Sequence, residues 1–171
     1  MSEYAGKYGV VTGSYNPLHN AHIMFFDMVL ERYQYCICLV RYNEGVDLTD
    51  WETKKGWFER LSRERYDGRL LFFKVVPNTK GKVYGIDLFK DIITTAEDAV
   101  NEPVQAYIFG EDYDGMIQKM RELYPDKDFI VFPRVDRLNY NSTAVRADLE
   151  GHKDWLPEYV YESLRILQKQ Q

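Results

Sequence analysis

The segment that decides the fold is YGVVTGSYNPLHNAH, residues 8–22. Residues 8–12 are rich in β-branched side chains and stop at Gly13, which predicts a β-strand ending in a tight turn. After Pro17, with Asn20 as the predicted N-cap, apolar side chains recur every three or four residues, which predicts a helix. These apolar residues are Ile23, Phe26, Leu30 and Tyr33. The chain therefore begins with a strand that leads through a turn into a helix.

The same alternation continues along the rest of the chain. Further strands are predicted at residues 35–40, 70–76, 105–109 and 129–132. Helices are predicted at residues 53–66, 87–100 and 113–124, near residue 142 and from residue 157 onward. Because parallel strands need covering crossovers, this pattern predicts the α/β class. The expected architecture is a Rossmann-like, doubly wound parallel sheet of about five strands with helices on both faces. We expect a single domain, with its core at about 8–150 and a C-terminal helix at about 157–170.

Composition narrows the class of protein further. The 171 residues are 45% hydrophobic, which suits one globular domain with a core. A net charge of -5 argues against a nucleic-acid binder, which usually has a basic face. No secretory leader and no stretch approaching the ~20 apolar residues of a membrane span is visible. With Cys36 and Cys38 interpreted as buried reduced thiols, we expect a cytoplasmic protein that binds no membrane.

Polar motifs follow the predicted strands where a ligand would bind. In doubly wound sheets, ligands bind beyond the carboxyl ends of the strands, near the point where the strand order reverses. Distinctive segments follow Thr12, Val40 and Phe109, and a fourth precedes the helix near Ser142. This placement predicts one site at that edge of the sheet.

The first of these segments contains a histidine pair, His19 and His22. A helix N-terminus presents unpaired N–H groups and a positive dipole, and two histidines three residues apart can both reach an anion there. A zinc site is disfavoured, because only His152 remains as a third imidazole and no cysteine or carboxylate has a suitable spacing. We therefore predict no protein-bound metal. Taken alone, the pair is equally compatible with two unrelated histidines on a helix surface.

The complete segment from Gly13 to His22 resembles the signature of the nucleotidyltransferases related to class I aminoacyl-tRNA synthetases. That signature runs Gly-Thr/Ser-Phe-Asp-Pro-x-His-x-Gly-His. In this chain Tyr15 stands for the phenylalanine, Asn16 for the aspartate and Ala21 for the glycine. Glycine at the last of these positions lets the nucleotide approach the backbone closely. Alanine is the smallest substitute, and we expect binding to survive it.

A second motif, Asn141-Ser142-Thr143-Ala144-Val145-Arg146, is similar to the family's Ile-Ser-x-Thr/Ser-x-x-Arg element. The resemblance implies that Ser142 or Thr143 caps a short helix near the β- and γ-phosphates, and that Arg146 pairs with these phosphates.

Within the superfamily, residues 8–164 resemble the nicotinamide mononucleotide (NMN) adenylyltransferase domain of the bifunctional bacterial NAD-salvage protein. The supporting stretches are residues 107–113 and 137–142. The resemblance implies the reaction ATP + NMN → NAD + pyrophosphate, with Mg²⁺ accompanying ATP. It implies catalytic roles for His19, His22 and Arg146. The implied nucleotide-binding set comprises these three residues and Gly13, Ser14, Tyr15, Gly110, Glu111, Ser142 and Thr143.

Other assignments remain open at the level of the sequence. One of Arg41, Asn43, Lys54 and Lys55 could contact a substrate phosphate, with Arg41 taken as the candidate, although a solvated charged face is favoured for each of the four. Trp51 is the candidate for stacking on the nicotinamide ring. The acceptor could be NMN, its acid form, phosphopantetheine or glycerol phosphate, and the nucleotide could be ATP or CTP. A non-catalytic nucleotide-sensing module is the alternative of a different class. The oligomeric state, including a homo-oligomer, is also left open.

Overall fold

The computed structural model describes residues 4–76, 86–110, 114–132 and 141–170. Residues 78–85, whose glycines and polar residues predict a turn, lie outside these ranges. So do residues 111–113 and 137–140, which belong to the two stretches that support the family resemblance. Within the described ranges, no helix combines the length and apolar character needed to cross a membrane.

The described strands form one five-stranded sheet in which all neighbouring strands are parallel. They are β1 (Gly6–Gly13), β2 (Tyr33–Arg41), β3 (Leu70–Val75), β4 (Ala106–Gly110) and β5 (Asp128–Phe132). Their order across the sheet is β3-β2-β1-β4-β5. The chain thus moves outward in one direction from β1 and in the other direction from β4. The strand order reverses between these two central strands, which is where such sheets bind ligands.

Helices cover both faces of the sheet. They are α1 (Asn20–Arg32), α2 (Trp51–Tyr66), α3 (Ile86–Val100), α4 (Asp114–Leu123), α5 (Ser142–Ala147) and α6 (Glu158–Lys169), with a 3₁₀ helix at Glu150–Trp155. The predicted doubly wound parallel sheet with helices on both faces is confirmed. The element bounds differ from the sequence prediction by about two residues, as is usual for helix and strand ends.

Alternation along β2 divides the core into two layers, because successive strand side chains point to opposite faces. Cys36, Cys38 and Val40 pack in the layer covered by α1, α2 and α6. Ile37 and Leu39 pack in the layer covered by α3 and α4. Both cysteines are buried free thiols, as predicted.

Candidate functional site

A cavity of about 160 Å³ opens at the point where the strand order reverses. The ends of β1 and β4 form its floor, with Gly13 and Gly110 among the lining residues, and the start of α1 contributes His22 and Phe25. Among the described residues, nothing lies within 4 Å of a Cβ atom added at Gly110. Four sequence-predicted site residues, Gly13, Tyr15, His22 and Gly110, therefore line one cavity. Ligand sites commonly measure about 300–1,000 Å³, so this cavity has room for only part of a nucleotide.

The turn after β1 is built around Tyr15. This residue has a φ of 47°, a left-handed conformation that is uncommon for a non-glycine residue. Its ring is buried against Phe26 and Phe58, and its edge-on contact with His22 has a centroid separation of 4.8 Å. The predicted reason for Gly13 was a tight turn at that residue. Instead, a Cβ atom at Gly13 would lie 2.9 Å from the Tyr15 ring, so glycine is needed to make room for the ring.

The histidine pair begins α1. His19 is the N-cap, with extended φ and ψ of -136° and 175°, in place of the predicted Asn20, which follows it. The Asn20 amide instead donates to the Asp154 carbonyl at 3.2 Å. The rings of His19 and His22 are stacked, with centroids 3.7 Å apart and an interplanar angle of 18°. The two imidazoles are thus one structural unit and not two separate surface residues.

One hydrogen bond fixes the tautomer of His22. The main-chain N–H of His19 donates to His22 Nδ1 at 3.0 Å. A neutral imidazole that accepts at Nδ1 carries its proton on Nε2. His22 therefore offers an N–H donor in an imidazole that lines the cavity.

Burial keeps both imidazoles neutral near pH 7. His19 is 4% exposed, and burial lowers its pKa from 6.5 to about 4. Burial also lowers the pKa of His22 well below 6.5, with smaller contributions from the nearby His19 and from the positive charge of Lys54. The pair consequently acts on an anion first by N–H donation and not by a permanent positive charge.

The second predicted motif packs directly on the turn after β1. Asn141 is the N-cap of α5 and accepts from the Ala144 N–H at 2.7 Å, so neither Ser142 nor Thr143 has the predicted capping role. The Ser142 hydroxyl donates to the Pro17 carbonyl at 3.0 Å. The structure thus places this motif against the segment that carries the histidine pair.

Arg146 is the cation of this motif. Its guanidinium donates to the Asn16 carbonyl at 2.6 Å and to the Thr143 hydroxyl at 3.1 Å. The residue is exposed, so its side chain can exchange the carbonyl for an anion without leaving solvent. Arg146 and the exposed Ser14 flank the same short turn.

The two acceptor-side candidates lie at the ends of β2 and α2. Arg41 ends β2, and its Nε is buried with no hydrogen-bond partner among the described residues. Trp51 starts α2, and its half-buried ring has its centroid 5.8 Å from that of Tyr42. The Lys74 ammonium lies 5.6 Å from the centroid of the Trp51 ring. Tyr42, Trp51 and Lys74 form an aromatic and basic cluster at the β2–β3 end of the sheet.

Lys54 corrects the sequence interpretation. It was expected on a solvated face, but its side chain is 0% exposed and ion-paired with Asp47 at 2.6 Å. Its ammonium also donates to the Ser14 carbonyl at 2.6 Å. Helical periodicity could have predicted the burial of Lys54, because Lys54 lies on the same buried face of α2 as Trp57, Phe58 and Leu61.

Glu111, predicted at the adenosine end of the site, lies outside the described residues. His152, interpreted from the sequence as a surface residue, is half-buried. Its ring centroid lies 4.2 Å from that of Trp155, and its Nδ1 lies 2.6 Å from the Asp148 carbonyl oxygen.

Comparisons with known proteins place this geometry in a structural class. No protein-family model matches the chain, and no curated protein matches it. Solved structures do match. The NadR protein in complex with NR has a TM-score of 0.63 and 13% identity, over 92% of this chain and 46% of that one. The nicotinic acid mononucleotide adenylyltransferase of Plasmodium falciparum, complexed with NaAD, has a TM-score of 0.61 and 12% identity, over 92% and 93%.

A third structure belongs to Francisella tularensis. It is a bifunctional NMN adenylyltransferase/ADP ribose pyrophosphatase complexed with AMP and a manganese ion. Its TM-score is 0.65 at 12% identity, over 95% of this chain and 49% of that one. The chain has the nucleotidyltransferase fold. It spans about half the length of the NadR and Francisella proteins. The resemblance inferred from the two motifs is thus confirmed at the level of the fold.

Proposed function

We propose that this protein is an adenylyltransferase that makes NAD from ATP and NMN and releases pyrophosphate. An NMN phosphate oxygen attacks the α-phosphorus of ATP, a new P–O bond forms, and the bond between the α-phosphorus and the bridging oxygen breaks. The phosphate is already a nucleophile, so the protein has to align the two groups and stabilise the charge that develops. The histidine pair at the cavity carries this proposal.

His22 supplies the donor for the reacting phosphate. Its Nδ1 is occupied by the His19 N–H, so Nε2–H is the group available to an α-phosphate oxygen. Stacking on His19 and contact with the Tyr15 ring hold the imidazole in place. A donor fixed before the substrate arrives needs little reorganisation during the reaction, which is the main source of electrostatic catalysis.

Arg146 holds the departing pyrophosphate. In the structure its guanidinium is bonded to the neutral Asn16 carbonyl, and a charged phosphate oxygen is a stronger acceptor for it. Mg²⁺ would enter bound to ATP, as part of that substrate, and would neutralise part of the phosphate charge. Gly13 and Ser14 form the turn beside these phosphates. Ser142 keeps the Arg146 helix on that turn, and the Thr143 hydroxyl accepts from the Arg146 guanidinium.

Gly110, with Glu111 after it, receives the adenosine end of ATP at the carboxyl end of β4. The acceptor lies toward β2, where Arg41 offers a half-buried cation and Trp51 a half-buried ring. NMN is favoured as acceptor because the similar solved structures are described as NMN or nicotinic acid mononucleotide adenylyltransferases, or as bound to NR. Nicotinic acid mononucleotide is the nearest alternative.

The test is pyrophosphate release by the purified protein with Mg²⁺. ATP and CTP are each paired with NMN, nicotinic acid mononucleotide, phosphopantetheine and glycerol 3-phosphate. We expect the highest kcat/KM with ATP and NMN. The His22→Asn variant should lose about 100- to 1,000-fold in kcat, as expected for removal of one donor to the transition state. His152→Asn, which alters the one remaining histidine, is the matched control and should retain activity.

Each of the other outcomes would change the proposed substrates, the proposed activity or the role of His22. Release with a different pair would keep nucleotidyl transfer and change the substrates. No release with any pair, while ATP still binds, would favour a nucleotide-sensing module. Equal rates for the wild type and His22→Asn would contradict the role of His22.

A further inference from the structure

The buried ammonium of Lys54 joins three parts of the chain. It donates to the Asp47 carboxylate and to the Ser14 carbonyl, both at 2.6 Å, from its position in the first turn of α2. It also lies 5.7 Å from the centroid of the Tyr42 ring. The exposed fractions of the Lys54 and Asp47 side chains are 0% and 4%. Because both partners are within the protein, Lys54 cannot serve as a substrate ligand without breaking this arrangement.

A second bond links the same two segments. The Leu48 N–H donates to the Asn16 side-chain oxygen at 2.9 Å. The turn after β1, residues 14–18, is therefore attached at two points to the loop after β2, residues 42–50. The first segment flanks the histidine pair, and the second connects Arg41 to Trp51. These are the phosphate side and the acceptor side of the proposed site.

Stability alone does not explain this ion pair. Removing two charges from water costs free energy that their attraction repays only in part, and apolar replacements of similar volume are often equally stable. What the pair does provide is a fixed position for the Ser14 carbonyl, and with it for the turn that precedes His19. A displacement of about 1 Å at such a position can lower a reaction rate about 100-fold.

We propose that Lys54 and Asp47 are positioning residues. They hold the turn at residues 14–18 and the loop at residues 42–50 at the separation that the NMN phosphate needs to attack the α-phosphorus of ATP. This inference rests on the proposed nucleotidyl transfer for its kinetic consequence. Its structural consequence, local anchoring of residues 14–18 and 42–50, is independent of any reaction.

The test uses Lys54→Met/Asp47→Asn, which removes both charges without leaving one of them buried alone. We expect kcat to fall about 100-fold while the KM values for ATP and NMN change little. Native-state hydrogen exchange should show faster exchange at Leu48 and in residues 14–16, with β1 and β2 still protected. Asn16→Ala, which removes only the second attachment, should show the same changes to a smaller extent.

The chain provides two matched controls. Lys127 donates to Glu97 and to the Val104 carbonyl at 2.9 and 2.8 Å, but at the other end of the sheet. Lys127→Met/Glu97→Gln should change kcat less than twofold. Lys55→Met alters the neighbouring lysine, whose ammonium is exposed and 3.6 Å from Glu59, and should also leave kcat unchanged.

The readouts separate failure of this proposal from failure of the proposed function. A kcat within twofold of the wild type and unchanged exchange at Leu48 would overturn the positioning role. Uniformly faster exchange along the chain would also overturn it, because a purely global loss of stability would then explain the rates. If the wild type itself releases no pyrophosphate, the proposed function fails. Hydrogen exchange at Leu48 in the double variant then shows by itself whether Lys54 and Asp47 anchor residues 14–18 to residues 42–50.

Discussion

Lys54 and Lys127 are bound in the same way at opposite ends of the sheet. Each ammonium bridges a carboxylate and a main-chain carbonyl, and each lies 5.7 Å from the centroid of a tyrosine ring. Lys127 precedes β5 at the amino edge, whereas Lys54 contacts the turn after β1 at the carboxyl edge. The amino-edge bridge joins a helix to a connecting loop. The carboxyl-edge bridge joins the two segments that border the candidate site.

Burial differs between the two bridges. The Lys54 and Asp47 side chains are 0% and 4% exposed, and the Lys127 and Glu97 side chains are 13% and 30% exposed. Burial lowers the pKa of Lys54, opposed by its bond to Asp47. The Lys54–Asp47 pair, whose burial costs more free energy, lies beside the cavity, and the more solvated Lys127–Glu97 pair lies away from it. This difference supports the proposal that the Lys54–Asp47 pair fixes the geometry of the site. The comparison can be tested by breaking each bridge in turn.

The largest expected effect is on the free energy of unfolding when only the lysine of each bridge is replaced. Lys54→Met leaves the Asp47 carboxylate buried without a partner, so the free energy of unfolding should fall by about 3–5 kcal/mol. Lys127→Met leaves a carboxylate that water can reach, and the loss should be about 1 kcal/mol. Urea unfolding at pH 7 measures both. Equal losses would show that the two bridges do not differ as their burial indicates.

The next effect is a pH dependence specific to the carboxyl edge, where both buried histidines lie. Burial lowers the pKa of His19 from 6.5 to about 4, and it also lowers the pKa of His22 well below 6.5. Below pH 6.5 the unfolded chain therefore binds protons that the folded chain does not, and stability falls as the pH falls. The slope approaches about 1.4 kcal/mol per pH unit for each histidine.

Urea unfolding between pH 7 and pH 5 measures this slope. His19→Asn/His22→Asn should flatten the profile, whereas Lys127→Met should lower it without changing its slope in this range. An unchanged slope in the double histidine variant would contradict neutral, buried imidazoles at this edge.

A smaller effect on stability should accompany a large effect on activity at Arg146. The side chain is exposed, so Arg146→Gln should change the free energy of unfolding by less than about 1 kcal/mol. Its guanidinium is the proposed partner of pyrophosphate, so kcat/KM should fall about 10- to 100-fold, as for loss of a charged hydrogen bond of about 1.5–3 kcal/mol. Steady-state pyrophosphate release gives the rates. An unchanged kcat/KM would mean that Arg146 only fastens α5 to the Asn16 carbonyl.

The smallest effect is expected at Ala21, where the family signature has glycine. Ala21→Gly should cost up to about 1 kcal/mol of helix stability, and so should Ala99→Gly in α3. Only the first should tighten the binding of α,β-methylene-ATP, because a glycine at the start of α1 lets the nucleotide come closer. Isothermal titration calorimetry compares the two. Equal affinities would show that Ala21 does not limit the approach of the nucleotide.

Much of the fold follows from periodicity in the sequence. The apolar strands and the helical spacing between them predicted a parallel sheet, and the motifs predicted that Gly13, His22 and Gly110 would meet at its carboxyl edge. Tyr15 was expected in the nucleotide-binding turn, and its ring both packs in the core and lines the cavity. Aromatic rings serve both purposes, so residue type alone could not separate them.

Long-range polar contacts were the part that the sequence did not reveal. The burial of Lys54 depends on a carbonyl 40 positions away and on an aspartate in a polar loop, and neither produces a local pattern. The Arg146–Asn16 contact spans 130 positions and depends on how α5 packs. Helical spacing alone could have placed Lys54 on the buried face of α2, but a lysine in a charged segment is usually solvated.

The most direct test of nucleotidyl transfer follows the α-phosphate itself. The protein is incubated with Mg²⁺, NMN and ATP labelled in the α-phosphate, and the products are separated by chromatography. The account predicts that the label moves into a dinucleotide with the wild type and His152→Asn, and that His22→Asn transfers almost none. Label that remains in ATP with NMN and with every alternative acceptor, under conditions where ATP is bound, would contradict it.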